Sequence, residues 1–309
     1  MENALLNALS VMAIIIVSYM FKRMKLLNID TAKRLAYVVM YLTLPCAILT
    51  SANGIGFDVS LIGVMGISAL ANFILLMISF FISGRDPEVR VFNMLNTTCF
   101  NIGNFVIPFM QSTMTPKAFL ALCMFDVVNA LFCFGGAYSL ALYFNRKHFP
   151  EQKINLQSIF KEMSKSLPFY VYALVICLSA FGITLPDPVL VPFKTIAGAN
   201  TLLCFMIIGI ALSFKISWVQ FKRVVKAWFI RYVSCALLAT AVWFFVPMSA
   251  EVRIIIMIIL MAPMTSLAPI FTMKAIPKYS EESADLVTIA ILTSLVMITI
   301  MNTITSQLV

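Results

Sequence analysis

The sequence predicts an all-α integral membrane protein of ten transmembrane helices, arranged as a five-plus-five inverted repeat with crossed, proline-broken helices 4 and 9. Three observations carry this expectation. Apolar runs of spanning length fill the chain, basic residues gather in alternate connections, and two proline-bearing interruptions occupy matching places in its two halves.

Of the 309 residues, 61% are hydrophobic and 11% charged, and the mean hydropathy is +0.98. A soluble core cannot hold that much apolar surface. A spanning helix needs roughly 20 apolar residues, and ten runs qualify, at about 4–21, 35–53, 58–82, 91–110, 116–144, 166–182, 189–212, 227–247, 252–273 and 284–305. The fifth and ninth are long enough to tilt. Met1-Glu2-Asn3 lacks the basic residues that open a cleavable signal, so the first run is expected to be a helix of the repeat. The whole chain, 1–309, reads as one transmembrane domain. Repeat one covers about 1–144, a linker 145–165, and repeat two about 166–309. Within the linker, Leu156, Ile159, Phe160 and Met163 recur at helical spacing, which predicts a short amphipathic helix on the membrane surface.

The net charge of +9 is an orientation signal and not a nucleic-acid patch. Eighteen of the 22 Lys and Arg fall in connections that follow odd-numbered helices, with clusters at Lys22–Arg34, Arg146–Lys165 and Lys215–Lys226. Opposite connections hold only Lys117, Lys194 and Arg253. The positive-inside rule then puts both termini outside the cytoplasm, in a multi-pass protein of the cytoplasmic membrane. Because five is an odd number, the second half must run upside down relative to the first.

The interruptions are Asn101-Ile-Gly-Asn-Phe-Val-Ile-Pro108 and Ala262-Pro-Met-Thr-Ser-Leu-Ala-Pro269. Pro108 and Pro269 lie 161 residues apart, the same offset that carries the first segment onto the sixth and the third onto the eighth. Paired breaks of this kind mark transporters built from inverted repeats, with their site at the bilayer midplane. Proline removes a backbone donor, and in hydrocarbon the freed groups must line a cavity or meet protein. The N-terminal end of each half-helix offers N–H groups and partial positive charge, which suits a carboxylate. Asparagine amides donate and accept without the cost of burying a charge. Asn101, Asn104 and Pro108 in the fourth segment, with Thr265, Ser266 and Pro269 in the ninth, are therefore the candidate substrate site. Asn96 belongs to the same polar run, and Asn200 and Thr201 in the seventh segment lie at a depth from which they could reach it. Interhelical packing is the competing role for the asparagines.

Ionisable residues inside spanning segments are functional candidates. Asp126 in the fifth could bind a coupling proton or cation, or serve in a structural pair. Arg231 in the eighth could hold an anion or be the charge partner of Asp126. Its place near a helix end favours snorkelling towards the basic cluster at Lys222–Lys226. Asp58, Asp187 and Lys194 read as interfacial. The seven cysteines fall inside apolar runs and read as small buried residues. They make no metal-type pair, and His148 sits in a basic loop, so neither a metal nor another cofactor is expected. Nucleotide, zinc-protease and serine-hydrolase signatures are missing. Gly54-Ile-Gly-Phe-Asp58 only loosely approaches an intramembrane protease motif. No catalytic residue is assigned and the chain is not read as an enzyme.

Taken in order, several motifs resemble the auxin efflux carrier family, whose bacterial members include some described as malate or malonate permeases. These are Leu44-Pro45-Cys46, Asn101 with Pro108-Phe109, Gly198-Ala-Asn-Thr with Gly209-Ile-Ala-Leu, and Ser266-Leu-Ala-Pro269-Ile-Phe-Thr-Met-Lys274. The likeness covers nearly the whole chain. It implies the sodium/proton antiporter-like fold of the bile-acid, arsenite and auxin-type superfamily. There, helices 1, 2, 6 and 7 form a scaffold, and helices 3–5 and 8–10 form a bundle that carries an organic anion by an elevator-like shift. It also implies a homodimer. Asn104 departs from the plant members' apolar residue and Thr265-Ser266 from their Gln-Gly pair, so the substrate need not be auxin. The function expected is secondary transport of small organic anions, mainly efflux, since an inside-negative potential drives anions out by about 2.3 kcal/mol per charge per 100 mV. The alternatives are a proton- or sodium-coupled carrier using Asp126, and a non-transporting membrane sensor or enzyme.

Overall fold

The structure, a computed structural model, describes residues 2–56, 61–111, 113–150, 157, 161, 164–212 and 218–305. Asp58, most of the stretch expected to be amphipathic, and the basic residues Lys153 and Lys215 lie outside the described residues. Everything described is helix, turn or irregular chain, with no strand among the described residues.

Among the described residues seven helices are long and apolar enough to cross a membrane: Leu6–Arg23, Ile29–Ser51, Ile62–Ile82, Pro116–Phe144, Asp187–Ala211, Gln220–Phe245 and Pro277–Ile304. In finer detail these are α1 (Glu2–Arg23), α2 (Ile29–Val38) running through a π-turn into α3 (Leu44–Ser51), α4 (Ile62–Ile82), α7 (Pro116–Leu131) with α8 (Ala137–Phe144), α10 (Asp187–Ala197) with α11 (Asn200–Ala211), α12 (Trp218–Phe245) and α15 (Ser280–Thr305). The other helices are shorter. They are α5 (Pro87–Thr97), α6 (Ile107–Met110), α9 (Leu167–Ala180), α13 (Ala250–Leu260) and α14 (Ala268–Ala275). At about 1.5 Å per residue, an 11-residue helix such as α5 or α13 covers about half of the roughly 30 Å apolar thickness. The expected fourth and ninth segments are thus each two short helices with a non-helical stretch between them.

Local chemistry sets the helix starts. Asn28 and Thr31 make a reciprocal capping box at α2, with Thr31 N–H donating to Asn28 Oδ1 at 2.8 Å. Asp86 accepts from Glu88 N–H at 2.9 Å, and Pro87 follows as the first residue of α5. Thr115-Pro116 repeats the device at α7. Each cap lies between apolar runs, where a helix must end before the chain turns back.

The principal packing falls into two groups. In one, α1 packs on α11, α3 on α9 and α10, and α2 on α11. In the other, α4 packs on α5 and α7, α13 on α7 and α12, and α15 on α12 and α14. Close backbone approach joins α1 to α11: a Cβ on Gly209 would lie 2.5 Å from the Ile15 carbonyl oxygen. Large apolar side chains such as Phe81, Leu237 and Phe245 point outwards, as a lipid-facing surface requires. Six of the seven cysteines are buried, whereas Cys177 faces outwards, contrary to the expectation. At the surface, Lys194 Nζ pairs with Asp187 Oδ1 at 3.0 Å.

The eighth segment corrects an expectation. It was bounded at 227, which left Arg231 one turn from an end. The helix instead begins at Trp218 and continues to Phe245, so Arg231 sits halfway along it. Snorkelling is ruled out: the residue is fully buried.

Candidate functional site

Helix α5 stops at Thr97, and the chain runs non-helically to Asn101 before resuming as a π-turn over Ile102–Val106 that leads into α6. Cys99 adopts a φ of 66°, uncommon for a residue with a side chain. Every N–H from 99 to 101 is accounted for. Cys99 N–H donates to Asn72 Oδ1 at 3.0 Å, Phe100 N–H to Asn129 Oδ1 at 3.0 Å, and Asn101 N–H to the Pro263 carbonyl at 2.9 Å. Asn129 Nδ2 donates back to the Phe100 carbonyl at 2.8 Å. Two buried asparagines from neighbouring helices thus stand in for the missing helical partners, as apolar surroundings require.

The second break runs from Met261 to Leu267, between α13 and α14. Thr265 organises its end, accepting from Leu267 N–H through its hydroxyl at 3.3 Å and from Ala268 N–H through its carbonyl at 3.1 Å. No side chain caps the turn after Asn101, whereas at the start of α14 the Ala268, Ile270 and Phe271 N–H groups donate to the Thr265 and Leu267 carbonyls. Pro269 opens α14 and Pro108 opens α6.

A cavity of about 280 Å³ lies against both breaks. Asn101, Gly103 and Asn104 line it from one and Thr265, Ser266 and Leu267 from the other. Asp126 and Asn129 of α7 form a third side, and Met40, Leu44, Phe169 and Tyr172 a fourth. Ala36, Ser166 and Pro168 also line it, and these follow closely on the basic clusters at Lys22–Arg34 and Arg146–Lys165. The cavity therefore extends towards these two basic connections. Following the first break, Phe105 and Phe109 pack ring against ring with Phe205, centroids 5.9–6.3 Å apart, all buried.

Asp126 presents a carboxylate in a wall that is otherwise mostly apolar. Tyr172 donates its hydroxyl to Asp126 Oδ2 at 2.6 Å, and Asn129 Nδ2 donates to Oδ1 at 2.9 Å. The tyrosine is on α9 and the aspartate on α7, so this bond links the two packing groups. Two further bonds tie the first group to α6: Thr201 donates to the Pro108 carbonyl at 2.9 Å and Asn7 Nδ2 to the Phe109 carbonyl at 2.9 Å. Among the described residues no Lys, Arg or His lines the cavity.

The cavity brings together Asn101, Asn104, Thr265, Ser266 and Asp126. It does not include Pro108, Pro269, Asn200 or Arg231. Asn200 is fully buried and accepts from Thr43 at 2.9 Å, tying α11 to the turn between α2 and α3. Asn96 likewise bonds Thr272 at 3.0 Å and Ser283, which is interhelical packing and not a ligand position. Arg231 does not pair with Asp126. Its Nη1 donates to the Thr97 carbonyl at 2.5 Å and its Nη2 to the Ala262 carbonyl at 2.8 Å. Its guanidinium lies 5.0 Å from the centroid of the Phe100 ring, which lines the cavity.

Sequence reasoning missed Asn72 and Tyr172 and passed over Asn129. An isolated asparagine in an apolar run is the available signal, and it is shared by ordinary packing residues. No protein-family model matches the chain, and no curated protein matches it.

Proposed function

We propose that this protein is a secondary transporter of small organic anions, and that the cavity against the two helix breaks is its binding site. One observation carries this reading. The amides and hydroxyls of Asn101, Asn104, Thr265 and Ser266, with the uncapped turn after Asn101, converge on a single cavity walled by both packing groups. Amide and hydroxyl donors of this kind can hold a carboxylate, and a site between two bodies suits alternating access.

In this reading the short helices pair up to complete ten spans, and α5–α6 crosses α13–α14 where Asn101 meets Pro263. The halves are inverted repeats, and the chain belongs with the auxin efflux carriers that it resembles. The group containing α1 and α11 is the scaffold, and the group containing α5, α7 and α13 moves. The basic connections are cytoplasmic and both termini lie outside, so the cavity faces the cytoplasm, where an exported anion is loaded. Membrane potential then drives efflux without a coupling ion. Catalysis has no part in this reading.

Asp126 favours one alternative: a carboxylate in the wall of a substrate cavity is placed to exchange a proton or cation with transport. It also repels a second negative charge. Monocarboxylates with an apolar body are therefore expected to bind more tightly than dicarboxylates of similar size.

The test is uptake of labelled benzoate into proteoliposomes under an imposed potential. Accumulation on the positive side, abolished by dissipating the potential, supports the uniporter. Accumulation only with a proton or sodium gradient favours the coupled alternative, and no flux of any carboxylate sinks the reading.

A further inference from the structure

We propose that Arg231 is a built-in counter-cation of the two helix breaks. It fills the place that a coupling cation would take, so anion binding is independent of sodium. This rests on the reading of the cavity as an anion site.

Helices α5 and α13 both stop at a break, and the last carbonyls of a helix carry partial negative charge with no helical donor. In an apolar interior such groups need donors or a cation, and broken-helix transporters hold coupling cations on carbonyls of this kind. Here one guanidinium reaches the last carbonyl of α5 and a carbonyl within the second break, two residues beyond α13. Nη1 takes the Thr97 carbonyl from the first break and Nη2 the Ala262 carbonyl from the second. Arginine suits the task because its planar fork offers several donors in fixed directions, whereas an ammonium is a compact and strongly hydrated point charge.

Two further features separate this arrangement from a structural ion pair. Arg231 is completely buried, and among the described residues no carboxylate pairs with it, the Asp126 oxygens being taken by Tyr172 and Asn129. An isolated buried charge is costly, and the carbonyl dipoles offset only part of that cost. Arg231 does not line the cavity, but its guanidinium lies 5.0 Å from the centroid of the Phe100 ring, which does. An anion bound in the cavity against Phe100 would therefore lie near a fixed positive charge that does not line the cavity. Arg231 is thus a positioning and electrostatic residue, not a contact residue. Among the described residues no group of three His, Cys, Asp or Glu is placed to hold a metal ion instead.

The experiment follows melting temperature and benzoate affinity of the full-length purified protein in sodium chloride and in choline chloride at equal ionic strength. Wild type is expected to show the same melting temperature and the same benzoate affinity in both salts. Arg231→Ala is expected to bind benzoate at least tenfold more weakly. Millimolar guanidinium chloride should restore part of that affinity in the variant while leaving wild type unchanged. A sodium-dependent rise in wild-type melting temperature or affinity overturns the proposal. So does an Arg231→Ala protein that melts lower yet binds benzoate as wild type does, because that is a purely structural arginine. If Arg231→Ala does not fold, the wild-type salt comparison still decides. If wild type binds no carboxylate, the anion-site reading fails, while the sodium response of its melting temperature still judges Arg231.

Discussion

Asn101 donates its backbone N–H to the carbonyl of Pro263 at 2.9 Å, so the two helix breaks, from opposite halves of the chain, share a hydrogen bond. That bond places the start of one half-helix beside the irregular stretch of the other. It also explains why the polar residues of both breaks face one cavity and not two.

Asn104 is the most informative substitution in that cavity. It is exposed on the cavity wall, so removing its amide leaves no buried group orphaned. Asn104→Ala is expected to weaken carboxylate binding about five- to tenfold, on the order of one hydrogen bond, with yield and melting temperature unchanged. Titration of the purified variant checks this, and full retained affinity would place the pocket elsewhere.

Tyr172→Phe deletes one hydroxyl and leaves Asp126 with only Asn129 as donor. A buried acceptor losing its partner costs about 1–3 kcal/mol, so thermal unfolding should shift downwards. Because the lost bond spans the two packing groups, crosslinking yield between cysteines introduced on α7 and α9 should fall as well.

Asp126→Asn keeps the size of the side chain and can still accept from Asn129. The uniporter reading expects benzoate flux to persist in proteoliposomes, with its pH profile unaltered. A pH profile that flattens in the variant would move the assignment to the coupled alternative.

Gly209→Ala tests the approach of α11 to α1. The added methyl would sit 2.5 Å from the Ile15 carbonyl oxygen, too near for any contact without backbone movement. Overpacking of this kind costs on the order of 1–3 kcal/mol, to be read as a lower melting temperature. Benzoate affinity should be spared, since the contact lies outside the cavity.

Much of this was legible in the sequence for a physical reason: membrane helices announce themselves by composition. Proline inside an apolar run likewise announces a broken backbone, and Asn101, Asn104, Thr265 and Ser266 follow from proximity to those prolines. What could not be read was long-range. Asn72 and Asn129 satisfy N–H groups of Cys99 and Phe100 from other helices, yet alone each looks like packing glue. Tyr172 is an ordinary aromatic until the fold sets it against Asp126. Arg231 was misplaced because amphipathic residues before 227 conceal nine helical residues from Trp218. The position of Arg231 along its helix is set by those hidden residues, about two and a half turns. Asn200 was polar at the right depth but on the wrong side of its helix, where Thr43 claims it.

The measurement that tests the central claim most directly is a thermal-shift titration of wild type and Asn104→Ala against carboxylates and organic cations, since a ligand that binds the folded state raises its melting temperature. The account predicts that monocarboxylates such as benzoate stabilise wild type, that dicarboxylates do so less, and that the effect shrinks in the variant. Stabilisation by organic cations and by no carboxylate would contradict it.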